Sequence, residues 1–185
     1  MIGYAFCGSF CTFDRSISVL EELVKSYEIL PIMSASAANT DTRFGKSADF
    51  IKKITEICGH EPILTIKDAE PLGPARPLDA LIIAPCTGNT LSKLANGITD
   101  TSVTMATKAH LRQSKPLLIS LATNDAMSAN LKNISTLLEK KSVFFVPMRQ
   151  DDYLKKPHSL VSEFEMIPQC LTAALSGKQI RPLFI

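Results

Sequence analysis

The sequence predicts an α/β fold of three layers, a parallel sheet with helices on both faces. Three observations carry that expectation: short, nearly continuous apolar runs recur along the chain, amphipathic helical patterns fall between them, and each run is followed by turn formers and small polar residues.

The first run, Ile2 to Phe6, has no polar alternation, as expected of a strand covered on both faces. Ile17, Leu20, Val24 and Tyr27 then share one face of a helix, with Asp14 available as its cap. A second strand is expected from Glu28 to Met33, and a second helix carries Ile51, Ile54 and Cys58 on one face. Pro62 to Ile66 is a weaker strand candidate. Lys67 to Pro77 holds Pro71, Gly73, Pro74 and Pro77 and reads as a surface excursion.

Leu78 to Ala84 is the next strand. Helices follow from about Thr90 to Ala95 and from about Val103 to Arg112, separated at Asn96-Gly97, where glycine can take a left-handed cap. Strands at Pro116 to Leu121 and Ser142 to Val146 flank a helix from about Ala126 to Lys140, which carries Leu131, Ile134, Leu137 and Leu138 at helical spacing. A last helix is expected from Ser159 to Leu175. Alternating strands and helices imply right-handed β-α-β units, so the architecture is Rossmann-like or flavodoxin-like. Neither side of the proline-rich excursion is long enough to fold alone, so residues 1–185 are expected to form one domain. The tail from about residue 148 is expected to pack on a neighbouring protomer.

Bulk composition narrows the function classes. The charge of +2 comes from 20 basic and 18 acidic side chains with no long run of one sign, which argues against nucleic acid and anionic membranes as partners. Cys7, Cys11, Cys58, Cys86 and Cys170 contain no C-x-x-C pair, so neither a zinc site nor a disulfide framework is expected. The opening residues lack the basic segment and cleavage site of a signal peptide, and no apolar run reaches membrane-spanning length. A reducing cytoplasm fits these features.

In an open parallel sheet, ligands bind outside the carboxyl ends of the strands. The residues expected there are Cys7-Gly8-Ser9-Phe10, Ser34-Ala35-Ser36 with Asn39-Thr40, Pro85-Cys86-Thr87-Gly88-Asn89-Thr90, and Ala122-Thr123-Asn124-Asp125. Glycine admits close backbone approach, while hydroxyls and free helix N–H groups can cradle a phosphate without a fixed cation. Any one of these loops is explained by ordinary turn and capping chemistry. Four at one sheet edge point to a site for a phosphorylated cofactor. No G-x-G-x-x-G follows the first strand, and no P-loop lysine motif is present, which excludes the usual dinucleotide and nucleoside triphosphate sites.

Pro85-Cys86-Thr87-Gly88-Asn89-Thr90, continuing through Leu91, Lys93, Leu94, Ala95, Asn96, Gly97, Ile98 and Asp100, resembles the P-A-S-A-N-T segment and A-N-G-I-x-D continuation of the homo-oligomeric flavin-containing cysteine decarboxylases and is similar in flavin prenyltransferases. Ala122-Thr123-Asn124-Asp125-Ala126-Met127 resembles the P-A-M-N-x-x-M-W motif, with Leu121 in place of its proline and Ser128 in place of its tryptophan. Gly3 to Cys11, Pro31-Ile32-Met33-Ser34, Thr40 to Gly45 and Gln150-Asp151-Asp152 are similar, more narrowly, to the flavoprotein (B) subunits of dipicolinate synthases.

The resemblance implies a flavin mononucleotide (FMN) site, with Gly8 and Ser9 beside the phosphate, Ser34 near the flavin, Thr87, Gly88, Asn89 and Thr90 around phosphate and ring, and Thr123 on the far side. Asn124 matches the asparagine that faces the substrate carboxylate in the decarboxylases, and an amide donates there without adding charge. Arg43, in Asp41-Thr42-Arg43-Phe44-Gly45, offers a guanidinium able to pair bidentately with a pyridine dicarboxylate. The decarboxylase histidine has no match in His60, His110 or His158. The resemblance thus implies oxidation of dihydrodipicolinate to dipicolinate in the cytoplasm of a sporulating mother cell. NAD(P) would be carried by a partner, the A subunit of dipicolinate synthase, and the chain would assemble as trimers or multiples of trimers. Decarboxylation of a cysteine-derived thiol and a flavin-free scaffold role are the alternatives.

Overall fold

The computed structural model describes residues 1–185. Every residue is buried in β1 (Ile2–Phe6), β2 (Ile29–Met33) and β3 (Ala80–Cys86), and in β4 (Leu117–Thr123) only Thr123 is half-buried. Strands with no solvent face have no use for alternating polar residues, which is why their sequences read as unbroken apolar runs. The four run parallel in the order β2-β1-β3-β4, and β5 (Val143–Phe145) extends the parallel set along Leu117 to Ile119 of β4. This is the flavodoxin-like order, and the fold is α/β as expected.

Successive strand residues point to opposite faces, which divides the apolar side chains into two cores. Tyr4, Phe6, Ile82 and Leu118 face α1 (Phe13–Leu23), α2 (Ala35–Asn39), α3 (Ser47–Cys58) and α8 (Ile167–Leu175). Ala5, Leu81, Ile83 and Ile119 face α4 (Ile66–Ala69), α5 (Gly88–Ala95), α6 (Ser102–Leu111) and α7 (Leu131–Leu138). Gly97 takes the left-handed conformation (φ +72°) after α5, as its position predicts.

Several expectations are corrected. Asp14 sits in the first turn of α1, whose N-cap is Thr12 without a side-chain cap bond. Pro62 to Ile66 gives only an isolated bridge between Ile63 and Ile32, because Thr65 caps α4 and turns Ile66 into a helix. The excursion is partly interior, since Ala69 and Leu72 are buried. The helix expected from Ala126 begins at Leu131, because the amides of Ser128 and Asn130 bond back to the Asp125 carbonyl and hold residues 124–130 in turns.

The largest correction concerns Ser159 to Leu175. Leu160–Ser162 is a strand, β7, and only Ile167–Leu175 is α-helical. β5 covers only the first part of the β4 edge, leaving Ala122 and Thr123 with unpaired backbone groups; β7 pairs antiparallel with both and in turn pairs with β6 (Met148–Arg149). Buried backbone groups demand partners, and this demand outweighs the helical spacing of the sequence.

Candidate functional site

The parallel strands bring their carboxyl ends together where the chain order reverses between β1 and β3, the point at which such sheets open a crevice. The Cys7 amide donates to the Pro85 carbonyl at 3.1 Å and the Ser34 amide to the Phe6 carbonyl at 3.0 Å, which binds three of the four loops side by side. Two cavities lie there. One, of about 250 Å³, is lined by Gly8, Ser34, Ser36, Thr87, Asn89 and Thr90, with Lys93 at its edge. The other, of about 210 Å³, is lined by Gly8, Ser9, Thr87, Thr123 and Asn124, with Asp151 and Lys156 opposite. Gly8 and Thr87 belong to both.

Some of the hydroxyls serve the fold. Ser34 Oγ accepts the Ala37 amide and caps α2; Thr87 Oγ1 accepts the Thr90 amide and caps α5. The Thr90 hydroxyl donates to Cys7 Sγ at 3.3 Å. Burial pushes the Cys7 thiol up to about 11 and raises Cys86 well above the ordinary thiol value, so both are neutral packing groups rather than nucleophiles.

Gly88 differs from the other residues expected around the cofactor because it lines neither cavity. A Cβ there would lie 2.6 Å from Asn130 Nδ2, 2.6 Å from Thr123 Oγ1 and 2.7 Å from Asp125 Oδ1. Those groups form a chain: the Thr123 hydroxyl donates to Asp125 Oδ1 at 2.5 Å, Asn130 Nδ2 to Asp125 Oδ2 at 3.0 Å, and Asn133 Nδ2 to Asn130 Oδ1 at 2.8 Å. The network fixes the turn that presents Asn124, and glycine is what lets α5 start against it.

Gly8 is a different case. A Cβ there would meet Ser36 and Phe10 at ordinary distances of 3.5 and 3.6 Å, and its φ is not positive. Nothing within the chain requires glycine at that position.

Arg43 lines neither cavity. It is on an exposed turn, with its guanidinium 4.8 Å from the centroid of the Phe44 ring. The cation facing the second cavity is Lys156, whose Nζ is 2.7 Å from Asp151 Oδ2, while Ser159 Oγ donates to Asp151 Oδ1 at 2.6 Å. The hydrogen bond to Asp151 holds Lys156 above the ordinary lysine value. Burial pulls Asp151 upward, but the bonds from Lys156 and Ser159 outweigh it and keep the carboxyl below its usual range. Asp151 lies in the Gln150-Asp151-Asp152 match without a role attached to it, and Lys156 has no signal in the sequence; both reach the crest only because β6 and β7 fold the tail back. No histidine lines either cavity, and no cluster of three or more His, Cys, Asp or Glu side chains is placed to hold a metal.

A flavodoxin-like sheet with hydroxyl- and amide-lined cavities at its switch point places the chain among the α/β proteins that open a ligand crevice there, and comparison with known proteins gives the family. Residues 1–175 match the family model described as Flavoprotein, and the chain belongs to that family. It is 43% identical over all 185 residues to the B subunit of dipicolinate synthase from Bacillus subtilis (strain 168), covering 92% of that protein. The crystal structure of the dipicolinate synthase B subunit from Bacillus halodurans C superposes with a TM-score of 0.91 at 40% identity, covering all of this chain and 95% of the other. The FMN-dependent cysteine decarboxylase SpaF shares the fold, with a TM-score of 0.69 at 23% identity over 95% of each chain. No helix is long and apolar enough to cross a membrane.

Proposed function

We propose that the crest between β1 and β3 binds FMN, and that the chain is the flavoprotein-type component of a dipicolinate synthase. In this reading it works with the nicotinamide-binding A subunit of that enzyme to oxidise dihydrodipicolinate to pyridine-2,6-dicarboxylate. The observation that carries the reading is the pair of cavities hinged on Gly8 and Thr87. Two adjoining compartments suit a ligand with a phosphate at one end and a ring at the other. Gly8, unneeded by the chain's own packing, suits a phosphate pressed against backbone. Full-length likeness to two B subunits supports the substrate class.

Gly8 and Ser9 hold the phosphate in this assignment, and Ser34, Thr87, Asn89, Thr90 and Thr123 surround the remainder, with Gly88 supporting the loop from behind. The oxidation removes a hydride equivalent and a proton and gains aromaticity. Flavin, when bound, supplies a two-electron acceptor. The chain's own task is to hold a dianion: the Asn124 amide donates to one carboxylate, and Lys156 places a positive charge across the cavity. Arg43, exposed and outside both cavities of its own chain, serves a neighbouring copy in a trimeric assembly or a multiple of it. The setting is the mother-cell cytoplasm of a spore former.

The purified protein is expected to be yellow and to release FMN on denaturation, and its spectrum to bleach anaerobically when dihydrodipicolinate and the nicotinamide-binding partner are added together. A colourless protein that takes up no added FMN would support the flavin-free scaffold reading instead. Bound flavin that stays unbleached during turnover would leave hydride transfer to the partner's nicotinamide.

A further inference from the structure

A third cavity, of about 500 Å³, lies away from the crest, between α5, α6 and α7. Leu94, Ile98, Leu111 and Leu137 form its apolar floor. Ile98 is 46% exposed and follows the left-handed turn at Gly97 directly, its amide donating to the Lys93 carbonyl at 2.9 Å. Lys108, Arg112, Lys140 and Lys141 stand around it, and no acidic side chain lines it.

The charge around this cavity is uncompensated. Lys93, nearby on α5, is neutralised by Asp100 at 2.8 Å, and Lys156 by Asp151 at 2.7 Å, whereas none of the four rim cations has a carboxylate in salt-bridge range. Lys140 and Lys141 also border an adjoining cavity of about 300 Å³, where Arg181 adds a fifth cation and Glu139 is the one acid. In a chain whose net charge is only +2, so many unpaired cations around an apolar floor, of which Ile98 is exposed and Leu94 and Leu111 half-buried, form a local field of one sign. Single-stranded nucleic acid would stack on aromatic platforms, and the floor here is aliphatic. Apolar centre with charged rim is the anatomy of a protein interface.

We propose that this face docks an acidic, apolar-centred segment of the companion nicotinamide-binding protein, an inference that rests on the two-component reading given above. An aliphatic side chain of the partner fills the floor at Ile98, and Asp or Glu residues beside it meet Lys108, Arg112, Lys140 and Lys141. The location adds a functional argument. α5 begins with Gly88 and Asn89 behind and beside the cofactor cavities and ends at the floor of this one. Its eight residues span ~12 Å, so a partner docked here sits one short helix from the crest.

The test measures binding of the nicotinamide-binding partner from the same organism to the intact protein by calorimetry at low and high salt. Two variants are used: the quadruple charge reversal K108E/R112E/K140E/K141E, and Ile98→Asp. Thermal melts and FMN content serve as controls, since all five side chains lie away from the crest. Wild-type binding that weakens with salt, and falls about tenfold or more in each variant while FMN content is unchanged, is the expected result. If wild type binds the partner and both variants bind it equally well, the docking face is wrong and the two-component reading stands. If wild type does not bind the partner, both fall. A changed oligomeric state of the variants with partner binding intact would assign the face to contacts between copies and overturn the proposal, as would RNA or DNA binding abolished by the charge reversal alone.

Discussion

Gly88 and Thr123 approach so closely that a Cβ on the glycine would lie 2.6 Å from the threonine hydroxyl oxygen. The same Cβ would collide with Asn130 and Asp125, so the start of α5 and the turn after β4 are fitted to each other through a hydrogen-bonded chain. Gly88→Ala must therefore break the network or push the loops apart, at about 1–3 kcal/mol. Gly8→Ala meets no such barrier and is expected to fold normally while weakening FMN binding about tenfold, or ~1.4 kcal/mol. Melting temperature and flavin titration on the two variants separate a packing glycine from a ligand-facing one. Equal melting temperatures would remove the distinction.

Both glycines stand in recognisable motifs, and the different packing around them lies beyond linear sequence. The runs at Ile2 to Phe6 and Leu78 to Ala84 mark real strands because burial on both faces leaves an unmistakable composition, and loops following such strands must share one edge of a parallel sheet. The shared position of Gly8, Thr87 and Asn124 at one cavity is legible for that reason. The place of Lys156 and Asp151 beside the same cavity is not, although Asp151 falls in a matched segment. Their position depends on β7 taking the vacant part of the β4 edge, a backbone hydrogen-bonding demand that no local pattern in Leu160-Val161-Ser162 announces. Arg43, singled out by its motif, lies outside the cavities of its own chain.

Lys156 faces the second cavity with a protonation held firm by Asp151. Lys156→Gln retains length and hydrogen bonding but removes the charge. It is expected to raise KM for the dicarboxylate roughly ten- to a hundredfold, the size of a lost charge-assisted bond, when assayed with FMN in saturating excess. Steady-state kinetics in the presence of the nicotinamide-binding partner provide the measurement. An unaltered KM would take the lysine out of substrate binding.

Arg43 and Asn124 are expected to serve one site from different copies. Homogeneous Arg43→Ala and Asn124→Ala proteins should each lose activity. Mixed assemblies reconstituted from the two should recover part of it, because some sites then combine an intact Arg43 with an intact Asn124. Protomer mixing followed by assay decides; no recovery in verified mixed assemblies would place both side chains at the same copy's site, or leave Arg43 without a role.

His110 supplies a pH dependence. It is buried on α6; Nε2 donates to the Pro116 carbonyl at 2.9 Å, and Nδ1 has no partner. Burial pushes the imidazole below its ordinary value of 6.5, and the nearby Lys115 adds to the effect. The folded state therefore holds the neutral form while the unfolded chain protonates near 6.5. Stability is complete above that pH and declines as pH falls below it, because the unfolded state then binds the extra proton. His110→Gln keeps a donor for Pro116 and removes the titration. Melting temperatures at pH ~7.5 and ~5.5 should differ less in the variant than in wild type. An identical pH slope in both would show that other groups dominate.

The tail is fastened to α1 by Arg15. Its Nε donates to Glu165 Oε1 at 2.9 Å and its Nη2 to Glu165 Oε2 at 2.6 Å, while Nη2 also lies 3.4 Å from Glu163 and the guanidinium sits 5.2 Å from the centroid of the buried Phe164 ring. Lysine cannot reproduce the two-pronged bond or the stacking, so Arg15→Lys is not conservative here. Both partners are partly solvated, Glu165 especially, which limits the expected cost to about 0.5–1 kcal/mol. The hydrogen bond from Arg15 holds the Glu165 carboxyl below its ordinary value. A depressed carboxyl contributes stability that is present above its unfolded pKa and is lost as pH falls through the folded one. The gap between wild type and Arg15→Lys in urea midpoint should therefore be full near pH ~7 and shrink toward pH ~3, leaving only the stacking difference. A gap that stays constant across that range would mean that Arg15 holds the tail by packing on Phe164 alone.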